Sequence, residues 1–213
     1  MSYFNKLAVE PVIIAHLNNQ TLKISGIELN QQIQMLTRIL RNFDGKAVAY
    51  KIDNTPAWLV IDAATAAAKK VAVPIACFFS DEQTHSVLDQ CGAALFISDT
   101  SLQALGMAVL SVNLFDSYTL YIYELPVSKP VDYFEGTQKI TFTSGSTGHP
   151  KGVCLSVKSQ KQVAQSLCEQ INIKKPIHLC LLPLPVLLEN IAGVYAPLLS
   201  GGPVHLMPLS ELG

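Results

Sequence analysis

Apolar positions recur along this chain in two alternating rhythms, a period of about two in short runs and of three to four in longer ones. Val12–Leu17 and Thr21–Ser25 are short β-type runs joined by Asn18-Asn19-Gln20, which predicts a hairpin because Asn tolerates the left-handed turn conformation. Leu29, Ile33, Leu36, Ile39/Leu40 and Phe43 then mark one face of a helix over Glu28–Phe43, closed by Gly45. A strand over Ala47–Ile52 leads to a helix opened by Thr55 as N-cap and Pro56 at its first position. Ala63, Ala64, Ala66, Ala67 and Ala68 keep that helix slim enough to pack between layers. Val71–Phe78 reads as strand. Ser80 and Gln83 read as the capping box of a helix that Gly92 ends, and Ala94–Ser98 is strand again.

Short strands near Met107–Val112 and Leu120–Leu125 and a polar connection over Pro126–Gly136 follow. Beyond it come strand Lys139–Thr143, helix Ser156–Ile171, strand Ile177–Leu182, helix Leu187–Leu199 and strand Val204–Met207. Alternating strands and helices predict an α/β fold of layered, mostly parallel sheets with helices on both faces. The expected division is a first α/β subdomain with the hairpin over residues 1–130 and the start of a second over 131–213. One continuous core is the alternative.

Composition narrows the function classes. Fifteen Lys and Arg against sixteen Asp and Glu in 213 residues leave no net basic excess, which argues against a nucleic-acid partner. Charged residues are only 15% of the chain and mean hydropathy is +0.31, so disorder is excluded and either a surface that meets something else or a chain shorter than its functional unit is suggested. Five cysteines without a C-x-x-C pair read as reduced thiols in a cytoplasmic protein. The five histidines are scattered without metal-ligand spacing and read as surface or core residues. From Pro176 to Ser210 there is no Lys or Arg and Glu189 is the one acidic residue, but five prolines cut the stretch into pieces too short to span a bilayer. Residues 136–175 carry Lys139, Lys151, Lys158, Lys161, Lys174 and Lys175 against Glu169 alone, a local site for an anion.

The candidate chemistry sits in that basic stretch. Thr143-Ser144-Gly145-Ser146-Thr147-Gly148-His149-Pro150-Lys151-Gly152 holds four hydroxyl side chains and three glycines directly after a strand. Glycines let backbone N–H groups converge, hydroxyls add donors without bulk, and Lys151 adds charge, so the loop suits a polyphosphate. A flexible Ser/Gly turn is the plainer reading. The register fails for a Walker A loop, since Pro150 stands where that motif needs Gly, and no dinucleotide fingerprint or serine-nucleophile elbow is present.

These ten residues resemble the signature phosphate loop of the adenylate-forming (AMP-binding) family, which includes acyl-CoA synthetases, fatty acyl-AMP ligases, nonribosomal peptide adenylation domains and luciferases. Val71-Ala72-Val73-Pro74-Ile75 resembles the family's turn into strand. Leu182-Pro183-Leu184 with Glu189 and Gly193, then Leu199-Ser200-Gly201-Gly202, resembles its acyl-site segment. The resemblance implies an N-terminal portion of an ATP-dependent, AMP-forming ligase. Such an enzyme activates a carboxylic acid as acyl-adenylate and passes it to a thiol, on CoA or on an acyl carrier protein's phosphopantetheine.

Carried over by position, Thr143, Ser144, Gly145, Ser146, Thr147, Gly148 and Lys151 hold the ATP phosphates, with Thr143 also on Mg2+. Leu184, Val186 and Glu189 border the acyl pocket. Glu189 reads equally well as a structural helix residue, and Val186 stands where the family usually has a histidine or aromatic residue. The family's adenine-contacting segment, ribose-binding Asp, hinge and C-terminal catalytic Lys have no counterpart, so no catalytic residue is assigned. The 213 residues alone are expected to be inactive, with the remainder of the enzyme or a self-associating copy as partner. The alternative is a non-catalytic truncated or split module acting through partner binding.

Overall fold

The computed structural model of the chain describes residues 8–17, 20–127, 131–143 and 150–211. Strands β1 (Pro11–Leu17) and β2 (Gln20–Ser25) pair antiparallel as the predicted hairpin, and the turn residues Asn18 and Asn19 lie outside the described residues. Helix α1 (Gly26–Arg41) begins at a capping box: the Glu28 N–H donates to Ser25 Oγ at 3.2 Å and the Ser25 N–H to Glu28 Oε2 at 2.8 Å. It ends at Asn42, before the expected Gly45. Gly45, at φ +85°, serves the next turn, where a Cβ would lie 2.2 Å from the Ala94 Cβ.

Next come β3 (Ala47–Lys51), α2 (Pro56–Ala67), β4 (Val71–Ile75), α3 (Asp81–Cys91) and β5 (Ala93–Ser98). The Ser80/Gln83 capping box and the left-handed Gly92 at the end of α3 are both present. Thr55 does occupy the N-cap of α2, but its hydroxyl makes no cap bond. Strand β4 is shorter than its apolar run because the chain turns at Ala76, whose carbonyl accepts the Phe79 N–H.

Strands β6 (Leu110–Leu114), β7 (Tyr118–Glu124), β8 (Thr137–Thr143) and β9 (Lys151–Ser156) precede helix α4 (Val157–Ile171). The hairpin partner β9 was not expected from the sequence. Its residues lie on a sheet edge and are mostly exposed, so no apolar alternation marks them. The expected strand over Ile177–Leu182 shrinks to β10 (His178–Leu179): past Cys180, whose N–H still donates to the His205 carbonyl, the backbone of Leu182 and Leu184 turns to the Asn54 side chain. The last helix contains a π-helical segment, Glu189–Tyr195, that runs into α5 (Ala196–Leu199), and β11 (Val204–Leu206) follows.

Seven strands form one sheet in the order β6-β7-β5-β3-β4-β8-β9, and four form a second, β10-β11-β1-β2. The centre of the large sheet, β5-β3-β4-β8, is parallel, and antiparallel pairs close both edges. Both sheets draw strands from either side of residue 130. The alternation of β3 explains the layering. Val48, Tyr50 and Ile52 face a core shared with α1, α2 and the second sheet through Ile13, Ile24, Val204 and Leu206. Ala47 and Ala49 face a smaller core with Val87 and Cys91 of α3 and Phe79. Helix α2 has buried side chains on every side from Pro56 to Asp62, as its alanine-rich, charge-poor sequence requires.

Candidate functional site

Strand β8 starts in the core and finishes in the open. Lys139, Ile140 and Thr141 are buried, whereas Thr143 at its carboxyl end is exposed. Strand β9 returns antiparallel in a register that sets Lys151 directly opposite Thr143. Lys151 and Gly152 are exposed. The return is anchored to α3, because Gln90 Nε2 donates to the Pro150 carbonyl at 3.2 Å. Gly152 permits the close approach of β8: a Cβ there would lie 3.0 Å from both Ile140 and Phe142. The candidate residues Ser144, Gly145, Ser146, Thr147 and Gly148 lie outside the described residues. Their two flanks, Thr143 and Lys151, come together at one edge of the large sheet.

Beneath this end lies a buried polar network. Lys139, with no solvent exposure, places Nζ 2.8 Å from Asp62 Oδ1, and donates to Asn190 Oδ1 and the Tyr195 hydroxyl at 2.7 Å each. The Tyr50 hydroxyl donates to Asp62 Oδ1 at 2.7 Å, and the Tyr195 hydroxyl donates to Asp62 Oδ2. The ammonium also lies 5.6 Å from the Trp58 ring centroid and 5.0 Å from that of Tyr195. Burial pulls the Lys139 ammonium below its usual range, with Asp62 opposing. Lys139 is therefore no part of a surface field for an anion, a correction to the reading of the basic stretch. It ties β8 to α2 and to the π-helical segment. The signal was a lysine inside the apolar strand and an aspartate inside the apolar helix.

The acyl-side candidates are held from the carboxyl end of β3. Asn54 Nδ2 donates to the Leu182 carbonyl at 2.8 Å and Asn54 Oδ1 accepts the Leu184 N–H at 2.9 Å. Leu184 is fully buried, and Val186 closes a turn onto the Pro183 carbonyl. Next to Asn54, Asp53 accepts the N–H groups of Leu209 and Ser210 and the Ser210 hydroxyl, at 2.9, 3.2 and 2.9 Å. Burial drives the Asp53 carboxyl upward, but these hydrogen bonds and that from the Asn54 N–H outweigh it and hold it below the usual range. Between these residues opens a cleft of about 320 Å³, bordered by Asn54, Phe78, Pro183 and Pro185. Open α/β sheets bind ligands at the carboxyl ends of their strands, and the cleft opens there. Asp53 and Asn54 were missed as site-shaping residues. The turn chemistry of Asn54-Thr55-Pro56 after a strand was the available signal.

Glu189, nearly buried at the head of the π-helical segment, accepts a hydrogen bond from His178 at 2.9 Å. Burial pushes its carboxyl upward, yet the bonds from His178 and Cys180 hold it below its usual value. Nothing in their spacing along the chain joins these residues. They lie on β10, just after it, and at the start of a helix.

Several solved structures share this chain's fold. The chain superposes on an O-succinylbenzoate coenzyme A synthetase from Bacillus subtilis, solved with ATP and magnesium, with a TM-score of 0.71 at 18% identity. That match covers 97% of this chain and 57% of the synthetase. A fatty acid AMP ligase from Legionella pneumophila matches with a TM-score of 0.74 at 15% identity, over 95% of this chain and 37% of the ligase. The N-terminal subdomain of Klebsiella oxytoca NpsA, bound to 3-hydroxyanthranilyl-AMSN, matches with a TM-score of 0.66 at 21% identity, over 93% of this chain and 50% of that one. In sequence, a hybrid PKS-NRPS synthetase of Xenoacremonium sinensis is 26% identical over 172 residues, 75% of this chain and 4% of the synthetase. The chain thus spans little more than half the length of the relatives it matches, or much less. The family model described as AMP-binding enzyme matches residues 5–212, nearly the full length, and the chain belongs to that family.

Proposed function

We propose that this chain forms the ATP-phosphate side of an AMP-forming ligase that activates a carboxylic acid and passes it to a thiol. The supporting observation is the convergence of Thr143 and Lys151 at the exposed tip of the β8–β9 hairpin, flanking the hydroxyl- and glycine-rich run. An ammonium beside backbone and hydroxyl donors suits a triphosphate. The exposed Thr143 hydroxyl is a hard oxygen donor of the kind Mg2+ accepts, so the donor set fits that ion. Bound there, Mg2+ would neutralise developing phosphate charge.

The chain's own residues position the reactants. Thr143, Ser144, Gly145, Ser146, Thr147, Gly148 and Lys151 hold the β- and γ-phosphates, while the acid lies in the cleft beside Asn54, Pro183 and Pro185; Leu184 and Glu189, buried away from that cleft, support its wall rather than border the acid. The acid's carboxylate oxygen bonds to the α-phosphorus as the bond to pyrophosphate's bridging oxygen breaks. A thiolate of CoA or of a carrier protein's phosphopantetheine then attacks the acyl carbon and AMP leaves. The family resemblance puts the adenine, ribose and thiol contacts in segments without a counterpart in residues 1–213, so these residues alone are inactive in this reading. The reading places the protein in the cytoplasm, where its thiols stay reduced.

A second reading, a module that acts through a partner, is favoured by the exposed Ile177, Leu181, Leu182 and Leu188 in the stretch without Lys or Arg. Among the described residues no helix is long and apolar enough to cross a membrane.

Acid-dependent pyrophosphate exchange by the full-length protein tests the first reading. Lys151→Ala and Thr147→Ala should each slow exchange by an amount equivalent to about 2–4 kcal/mol, more than they slow thioester formation from supplied acyl-adenylate. Exchange unchanged within about a factor of two would refute the assignment.

A further inference from the structure

The geometry points to a transition-metal site, of the kind Zn2+ takes, built from His178, Cys180 and Glu189. The nitrogen, sulfur and carboxylate donors of these residues all lie within 4.8 Å of one another. His178 and Cys180 are two apart on an extended run, so their side chains leave on the same side. That side faces the π-helical segment, where Glu189 carries its carboxylate 2.9 Å from His178 Nε2 and within reach of the Cys180 thiol.

Three further features fit an ion there. First, imidazole nitrogen, thiolate sulfur and carboxylate oxygen are the three ligand types that Zn2+ combines in four-coordinate sites. Bonds of about 2.0–2.3 Å need donors about 3.3–3.6 Å apart, so the trio closes on an ion by moving fractions of an ångström to about one ångström. Second, space is kept by a glycine. Gly193 lies one helical turn beyond Glu189, and a Cβ there would sit 2.5 Å from Glu189 Oε1 and 2.7 Å from His178 Nε2. Third, the site has a floor and a mouth. Cys180 is fully buried, and the Glu189 side chain is 7% exposed. The His178 side chain is 36% exposed, which leaves an entry path and room for a water as fourth ligand. The ion would clamp β10, at the edge of the small sheet, to the π-helical segment that follows Leu184 and Val186. It is separate from the Mg2+ of the nucleotide.

The test is a titration of the reduced, metal-free protein with Co2+ and then Zn2+. One equivalent of Co2+ should give a tetrahedral visible spectrum with a thiolate-to-metal charge-transfer band, and one equivalent of Zn2+ should displace it. The band should vanish in Cys180→Ala and persist in a Cys77→Ser/Cys154→Ser double variant, which removes the two exposed cysteines. His178→Gln alters a partly exposed side chain, so folding should survive. It should weaken Zn2+ affinity, read by competition with a chromophoric chelator, by about tenfold or more. The inference is overturned if the band follows Cys77 or Cys154, if His178→Gln binds Zn2+ as tightly as the parent, or if the parent takes up no metal. In that last case the trio is a metal-free His–Glu–Cys hydrogen-bonded cluster.

Discussion

Lys139 shows how much a single buried charge decides. Its ammonium has Asp62, Asn190 and Tyr195 as partners and two aromatic rings beside it, so the ion pair is well satisfied despite the cost of desolvation. Lys139→Ala should destabilise the fold by about 3–5 kcal/mol in urea denaturation, because Asp62 is left charged and buried without its cation. Lys139→Met combined with Asp62→Asn should cost clearly less than the sum of the single changes. Strict additivity would contradict the pairing. A second residue pair sets an acid limit. His16 Nε2 and His205 Nδ1 lie 3.0 Å apart with their rings stacked at 5.3 Å. Burial, and then the charge of His16, hold the His205 imidazole below its ordinary 6.5. The unfolded chain therefore binds the proton at higher pH than the folded one. This contribution to stability is complete above pH 6.5 and lost as pH falls through the depressed value. His205→Gln should flatten the decline of Tm as pH falls below 6.5. A decline as steep as in the parent would assign it to other groups. In the sequence, neither pair was visible as a pair, since 77 and 189 residues separate their members: Lys139 and Asp62, His16 and His205.

Elements were legible where local chemistry alone determines them. The capping box at Ser80, the left-handed Gly92 and the Pro56 start of α2 are short-range devices, and the helices they bound form where their residues specify; the Ser25 capping box of α1, equally local, was not picked out. Strands β9 and β10 were misjudged because their limits depend on neighbours. The first pairs at an open edge, and the second is cut short where Asn54 takes the backbone of Leu182 and Leu184. The π-helical segment is likewise a tertiary outcome: Asn190 and Tyr195 both reach Lys139 from it, and Glu189 reaches His178. Gly193→Ala should test this directly. Its methyl group would press on Glu189 and His178, so the variant should lose about 1–3 kcal/mol. It should also break the His178–Glu189 contact, visible as changed chemical shifts of the His178 ring by NMR. Parental stability and unmoved ring signals would show that the segment has slack that the structure does not suggest.

For the whole molecule, the parallel centre of the large sheet places the carboxyl ends of β3, β4 and β8 at one end of the molecule, and the cleft beside Asn54 opens there. The strand–helix alternation made that architecture readable. Which strands share a sheet was not readable, because β1 finds β11 as a parallel partner from nearly two hundred residues away. The motif Thr143–Gly152 was legible as a pattern. Its setting, an edge hairpin rooted on a buried lysine, was not. In the proposed function, the residues between β8 and β9 hold polyphosphate by themselves. The most direct test is an NMR titration of residues 1–213 with Mg2+-ATP and, separately, with tripolyphosphate, following the amide signals of residues 143–152. ATP should bind with about millimolar strength, tripolyphosphate within about threefold of it, and both about tenfold more weakly in Lys151→Ala. Shifts that spare residues 143–152, or a Lys151→Ala protein that titrates like its parent, would contradict that function.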